Sequence, residues 1–261
     1  MMSMNMPIEK IKVNLEGKTA IVFGASVGIG AATAEIMALS GAKVVLASRN
    51  EAKLAETVDD IKKKGGEAAW VKTDVSDYNE VQAAVDFAVK TYGALDIVIN
   101  NAGINRAPAS IQDISMKDYE DIVSTNINGV FYGMKAGIPE LLKRESGAIV
   151  NISSVGGLIA APGISPYCAS KHAVIGMSKS AACDVAPNIR VNVVCPGNTN
   201  TAIFNDWQKD DAARDAMAAM SPLNRIAEPY EIGAAIAWLA SDAASFITGA
   251  VLAVDGGYVA M

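Results

Sequence analysis

The stretch TAIVFGASVGIGAATAEIMAL, Thr19 to Leu39, decides the fold. Thr19–Phe23 is apolar almost throughout and rich in β-branched side chains, the pattern of a strand buried on both faces. Gly24, Gly28 and Gly30 then permit a tight turn, and Ile29–Leu39 has helical spacing. A strand that passes through a glycine-rich turn into a helix brings backbone N–H groups and a helix N-terminus to one point, where a pyrophosphate can approach closely. The spacing is GxxxGxG rather than GxGxxG, and taken alone the turn also fits a purely structural junction.

Outward from this unit the rhythm repeats. Lys43–Ala47, Ala68–Lys72, Leu95–Ile99, Ala148–Ile152 and Arg190–Val194 read as further strands, and Ala250–Val254 as a last one before Asp255-Gly256-Gly257. Between them Glu51–Lys64, Tyr78–Lys90, Lys117–Lys143 and Tyr167–Val185 have helical spacing, and Gly41, Gly65–Gly66 and Gly93 stand where C-terminal caps are wanted. The alternation predicts an α/β fold: one doubly wound, Rossmann-like parallel sheet of about seven strands with helices on both faces. With no linker or repeat, residues 1–261 read as one domain. Thr199–Met220 breaks the rhythm, with Ile203, Phe204, Trp207, Met217 and Met220 around a charged middle. It fits either an amphipathic surface helix pair or a small helical lid over an apolar substrate pocket.

Composition narrows the function. Of 261 residues, 51% are apolar and 19% charged, so a large core is available and disorder is excluded. A net charge of −6 argues against nucleic-acid binding. Cys168, Cys183 and Cys195 lack CxxC spacing, giving neither a disulfide framework nor a metal site, and His172 is the single histidine. The N-terminal MMSMNMPIEKIKV has no apolar run suited to a signal peptide, and the uncharged run Ser146–Ser170 is broken by glycines, Pro162 and Pro166. A cytoplasmic protein without membrane or nucleic-acid partners is expected.

Two constellations carry chemistry. The second strand ends in Ser48-Arg49 with no carboxylate for ribose hydroxyls, so Ser48 leaves room and Arg49 offers a planar fork for a 2′-phosphate. This predicts NADP(H) favoured over NAD(H). Tyr167 and Lys171, four apart on a helix, share a face. A nearby ammonium lowers a phenol's pKa toward working pH, though the YxxxK spacing is also common on helix surfaces. Ser154 follows a strand and stands where its hydroxyl can hold a substrate oxygen. Asn126 stands where a buried amide can place a water beside the lysine.

With these residues in hand the chain, from about Leu15 to Tyr258, resembles a short-chain dehydrogenase/reductase. The matching motifs are the glycine turn; Asp74-Val75; Asn100-Asn101-Ala102-Gly103; Asn126, Ser154, Tyr167 and Lys171; Pro196-Gly197 with Thr199 and Thr201; and Asp255-Gly256-Gly257. The resemblance implies Tyr167 as the acid/base, Lys171 as the group that lowers its pKa and holds the nicotinamide ribose, Ser154 as the anchor of the substrate oxygen, and Asn126 in a proton relay. It implies cofactor contacts from Gly24, Ser26, Val27, Gly28, Ile29, Gly30, Ser48, Arg49, Asp74, Val75, Asn100, Asn101, Ala102, Gly103, Tyr167, Lys171, Pro196, Gly197, Thr199 and Thr201. It also implies a homotetramer or homodimer. Two departures stand out. Phe23 occupies a position where the family usually has threonine, leaving open how the turn is braced, and Val27 removes one polar contact to a 2′-phosphate.

The expected reaction interconverts a ketone and a secondary alcohol. Ser154, Val155, Ile159, Ile164, Asn198, Ile203, Phe204 and Trp207, with Met217 and Met220, are the expected substrate positions. Their apolar character points to a steroid, cyclic or aromatic small molecule. A 3-oxoacyl-thioester reductase is the alternative within the family. A non-catalytic dinucleotide-binding regulator is the alternative outside enzymology, and the intact Ser/Tyr/Lys set argues against it.

Overall fold

The computed structural model describes residues 13–201 and 210–261. The strands are β1 (Thr19–Phe23), β2 (Lys43–Ser48), β3 (Glu67–Lys72), β4 (Ile97–Asn100), β5 (Gly147–Ile152), β6 (Ile189–Pro196) and β7 (Val251–Val254). They form one parallel sheet in the order β3-β2-β1-β4-β5-β6-β7. The order reverses between β1 and β4, and a crevice opens at that switch beyond the strands' carboxyl ends.

The helices among the described residues are α1 (Gly28–Leu39), α2 (Glu51–Lys63), α3 (Tyr78–Tyr92), α4 (Met116–Ile122), α5 (Gly129–Lys143), α6 (Ser165–Asp184), α7 (Asp211–Ala219) and α8 (Pro229–Ala240). Strand alternation sorts the core into two layers. Ala20 and Val22 of β1 join α1, α2 and α8, whereas Ile21 and Phe23 join α3, α5 and α6. The helix expected over Lys117–Lys143 is three segments, because a π-helical turn at Val123–Asn128 joins α4 to α5. The expected glycine caps have a conformational reason: Gly41, Gly65 and Gly93 lie at φ of 95°, 88° and 85°.

Capping separates α1 from its neighbours. Asn50 caps α2, Asp77 caps α3 and Asp210 caps α7 through side-chain acceptors, and Glu228 and Glu231 form a capping box on α8. Helix α1 begins at Val27 with no side-chain cap, and this end faces the crevice. Among the described residues, no helix is long and apolar enough to cross a membrane.

Candidate active site

The crevice is a cavity of about 550 Å³, lined on a first arm by the glycine turn with Ser48, Arg49 and Asp74 and on a second, apolar arm by Val155, Ile159, Ile164, Met217 and Met220. In the first arm, β1 delivers the chain into a turn that glycine alone accommodates. Gly24 lies at φ 76°, and a Cβ there would stand 2.7 Å from Ala102 Cα; a Cβ on Gly30 would overlap the Gly24 carbonyl. Phe23 has no hydroxyl to brace this turn. The brace comes instead from the Asn101 amide, whose Nδ2 donates to Gly24 O at 2.9 Å, and from Gly24 N donating to Ala47 O at 2.7 Å. A backbone cradle without side-chain bulk, at an uncapped helix N-terminus, fits a pyrophosphate.

Farther along this arm Ser48 donates to Ser26 at 3.0 Å, and Arg49, 67% exposed at its side chain, lies 3.7 Å from Asp74. Partial burial pushes the Asp74 carboxyl up, but hydrogen bonds from Ser76 N and Oγ and the Arg49 charge outweigh it and hold the group below its ordinary range. Asp74 therefore remains an acceptor at neutral pH and competes for Arg49.

The reacting end lies where β5 meets α6. Ser154 accepts from Gly156 N at 3.1 Å, and its hydroxyl neighbours the Tyr167 phenol closely enough to oppose the rise in that group's pKa. Lys171, 4% exposed, donates from Nζ to Ile152 O at 2.9 Å and stands 5.7 Å from the centroid of the Tyr167 ring. Burial pushes the phenol above its ordinary value, and the neighbouring Ser154 hydroxyl opposes it. Burial also depresses Lys171 to about 8, against a smaller opposing effect of Cys195. In a low-dielectric pocket burial disfavours the charged form of each group.

Most of the expected positions line the cavity, including Ser26, Val27, Gly28, Ile29, Val75, Gly103, Pro196, Gly197, Thr199, Thr201, Val155, Ile159, Ile164, Met217 and Met220. Several do not. Asn100 is buried behind the wall, giving its Nδ2 to Asn151 Oδ1 at 2.7 Å, because it alternates with Asn101 across the strand end. Gly30 forms the back of the turn. Asn126, fully buried on the π-turn, accepts from Ile104 N and donates to Ile104 O and Ser170 Oγ, so its side chain braces the 104 loop. Asn198 lines the cavity, but its amide donates to Met217 O at 3.0 Å and ties down α7. Ile203, Phe204 and Trp207 lie outside the described residues. Sequence reasoning missed Thr73, Ile104, Asn105, Thr125, Ser153, Ala161 and Tyr258, which also line the cavity. Of these, Thr73, Ile104, Thr125 and Ser153 adjoin expected residues, the one signal available.

Known proteins resemble the chain over nearly its whole length. The family model described as Enoyl-(Acyl carrier protein) reductase matches residues 24–259. The A-factor type gamma-butyrolactone 1′-reductase (1S-forming) of Streptomyces virginiae is 41% identical over 249 residues, covering 94% of this chain and 96% of that protein. The cyclohexanol dehydrogenase of Acinetobacter sp. strain SE19 is 38% identical over 253 residues, covering 96% and 99%. Among solved structures, a gluconate 5-dehydrogenase from Burkholderia cenocepacia J2315 in complex with NADP and tartrate superposes with a TM-score of 0.90 at 33% identity, covering 97% of this chain and 99% of that one.

Proposed function

The chain belongs to the short-chain dehydrogenase/reductase family, and from that premise we propose that it interconverts a hydrophobic cyclic ketone and its secondary alcohol with NADP(H). It is an oxidoreductase that uses a nicotinamide dinucleotide and acts on CH–OH groups. The observation that carries the finer reading is the Ser154–Tyr167 pair, with Lys171 beside it, in the cavity that also holds the glycine cradle and an apolar lining.

The bound dinucleotide supplies the hydride donor or acceptor. The Ser154 and Tyr167 hydroxyls offer two donors to one carbonyl oxygen. Because burial keeps Tyr167 protonated at neutral pH, the phenol has a proton to give as that oxygen gains charge, and it takes the proton back in the oxidative direction. Lys171 supplies positive charge to the phenolate that forms. Gly24, Ser26, Val27, Gly28 and Ile29 would hold the pyrophosphate, Asp74 and Val75 the adenine, and Lys171 and Thr199 the nicotinamide half.

Preference for the phosphorylated dinucleotide is supported by Arg49 on the cavity rim beside the Ser26–Ser48 pair, with no carboxylate at the end of β2. The ring-shaped substrate is supported by the apolar arm of Val155, Ile159, Ala161, Ile164, Met217 and Met220, and by relatives named for a butyrolactone and cyclohexanol. The description of the matching family model names an acyl-carrier-protein thioester as the substrate, which keeps open a second reading within the family, a 3-oxoacyl-thioester reductase. NADPH and NADH consumption against cyclohexanones, steroid ketones, sugars and 3-oxoacyl thioesters tests these readings together. The expected result is turnover of cyclic ketones with NADPH; turnover confined to thioesters, or a clear NADH preference, contradicts the corresponding part.

A further inference from the structure

Three consecutive residues leaving β5 each hold helix α6. Asn151 Nδ2 donates to Ser178 Oγ at 2.8 Å, Ile152 O receives Lys171 Nζ at 2.9 Å, and Ser153 Oγ donates to the backbone carbonyl of Lys171 at 2.8 Å. Ile152 and Ser153 therefore grip Lys171 at its two ends, the ammonium and the main chain. The acceptor carbonyl lies inside α6, where the helical ladder already satisfies it, so this bond is not needed to close the helix.

The surroundings are shaped around this contact. Ser153 is 3% exposed and locked into the sheet by its N–H to Val194 O at 2.8 Å. Gly157 packs directly against it: a Cβ there would overlap Ser153 Oγ and stand 2.8 Å from Lys171 O. We propose that Ser153 is a positioning residue for the Tyr167–Lys171 pair, fixing the rotation of α6 through its hydroxyl bond to the Lys171 carbonyl. A buried hydroxyl that merely found a partner would add stability and leave the chemistry of the pair unchanged.

The inference rests on the acid–base reading of Tyr167. The titratable groups facing Lys171 are Tyr167 on its own helix and Cys195 of β6. Ser153→Ala and Ser153→Thr are compared with the unaltered protein in alcohol oxidation, recording kcat, KM, the pH midpoint of kcat and the thermal transition. Ser153→Ala is expected to lower kcat about tenfold with little change in KM, as a slightly misplaced catalytic group does. The midpoint of its rising limb should move up by about half a unit or more, because a less fixed ammonium stabilises phenolate less well. Ser153→Thr, which keeps the hydroxyl, should restore most of both.

Unchanged kcat and midpoint in Ser153→Ala overturn the proposal, and so does a Ser153→Thr variant as impaired as Ser153→Ala. Should Ser153→Ala lack a cooperative transition, Ser153→Cys, of similar shape with a weak donor, carries the comparison; unaltered kinetics there overturn it too. An active Tyr167→Phe sinks the underlying reading. An inactive Tyr167→Phe beside an unaltered Ser153→Ala sinks this inference alone.

Discussion

The floor and the roof of the cavity are built on opposite terms. On the floor, Asn126, Ser153 and Lys171 are buried, and each is held by hydrogen bonds to backbone or to other buried groups. On the roof, α7 has no buried residue, Met220 is 37% exposed, and among the described residues Asn198 ties α7 to the wall beneath it through its bond to Met217 O. The floor fixes distances within the reacting pair, while the roof offers adaptable apolar surface. Rate should therefore be a property of the floor and selectivity a property of the roof.

The sharpest way to break this division is Lys171→Met. Turnover should fall about 10²–10⁴-fold, the usual worth of a group that assists proton transfer, as measured by steady-state kinetics. Stability should move the other way. Lys171 is depressed from 10.5 to about 8 on folding, so the unfolded chain binds more protons between those values and stability rises with pH across that window. Below about pH 8 the lysine's burial is at its full cost. Replacing it by methionine should gain up to about 3 kcal/mol at pH 7 in denaturant unfolding, and the gain should fade toward pH 10.5.

Next in size, Arg49→Ala should raise KM for NADPH about tenfold and leave NADH nearly unaffected, as expected for a lost charge-assisted contact. Similar losses for both dinucleotides would remove Arg49 from 2′-phosphate recognition. The smallest effect tests the roof. Met217→Ala or Asn198→Ala should raise KM for a cyclic ketone a few-fold, the scale of lost apolar contact, with kcat within about twofold. A collapse of kcat in either variant would erase the distinction between floor and roof.

The layered sheet was legible because strands buried on both faces must be apolar throughout. Thr19–Phe23 carries that pattern to its last residue, and Gly41, Gly65 and Gly93 mark helix ends through backbone angles that disfavour a Cβ. What escaped reading depends on contacts between residues distant in the chain. Asn100 and Asn101 are neighbours of one residue type, yet strand alternation sends one into the core and the other to the glycine turn. Asn126 sits on a π-turn that composition does not announce, and Ser153 gains its role from a carbonyl 18 residues away. The phenol's burial was not legible for a related reason. Spacing put an ammonium close by, but spacing does not reveal the burial that raises the phenol's pKa.

The central claim, that the Tyr167 hydroxyl exchanges the substrate proton, is tested most directly by comparing Tyr167→Phe with the unaltered protein in NADPH-binding calorimetry and single-turnover ketone reduction. The account predicts dinucleotide affinity within about threefold of the parent, since the ring and its packing remain, and a reduction rate at least about 10²-fold lower. Single-turnover reduction at the parent rate, with NADPH bound, would contradict it.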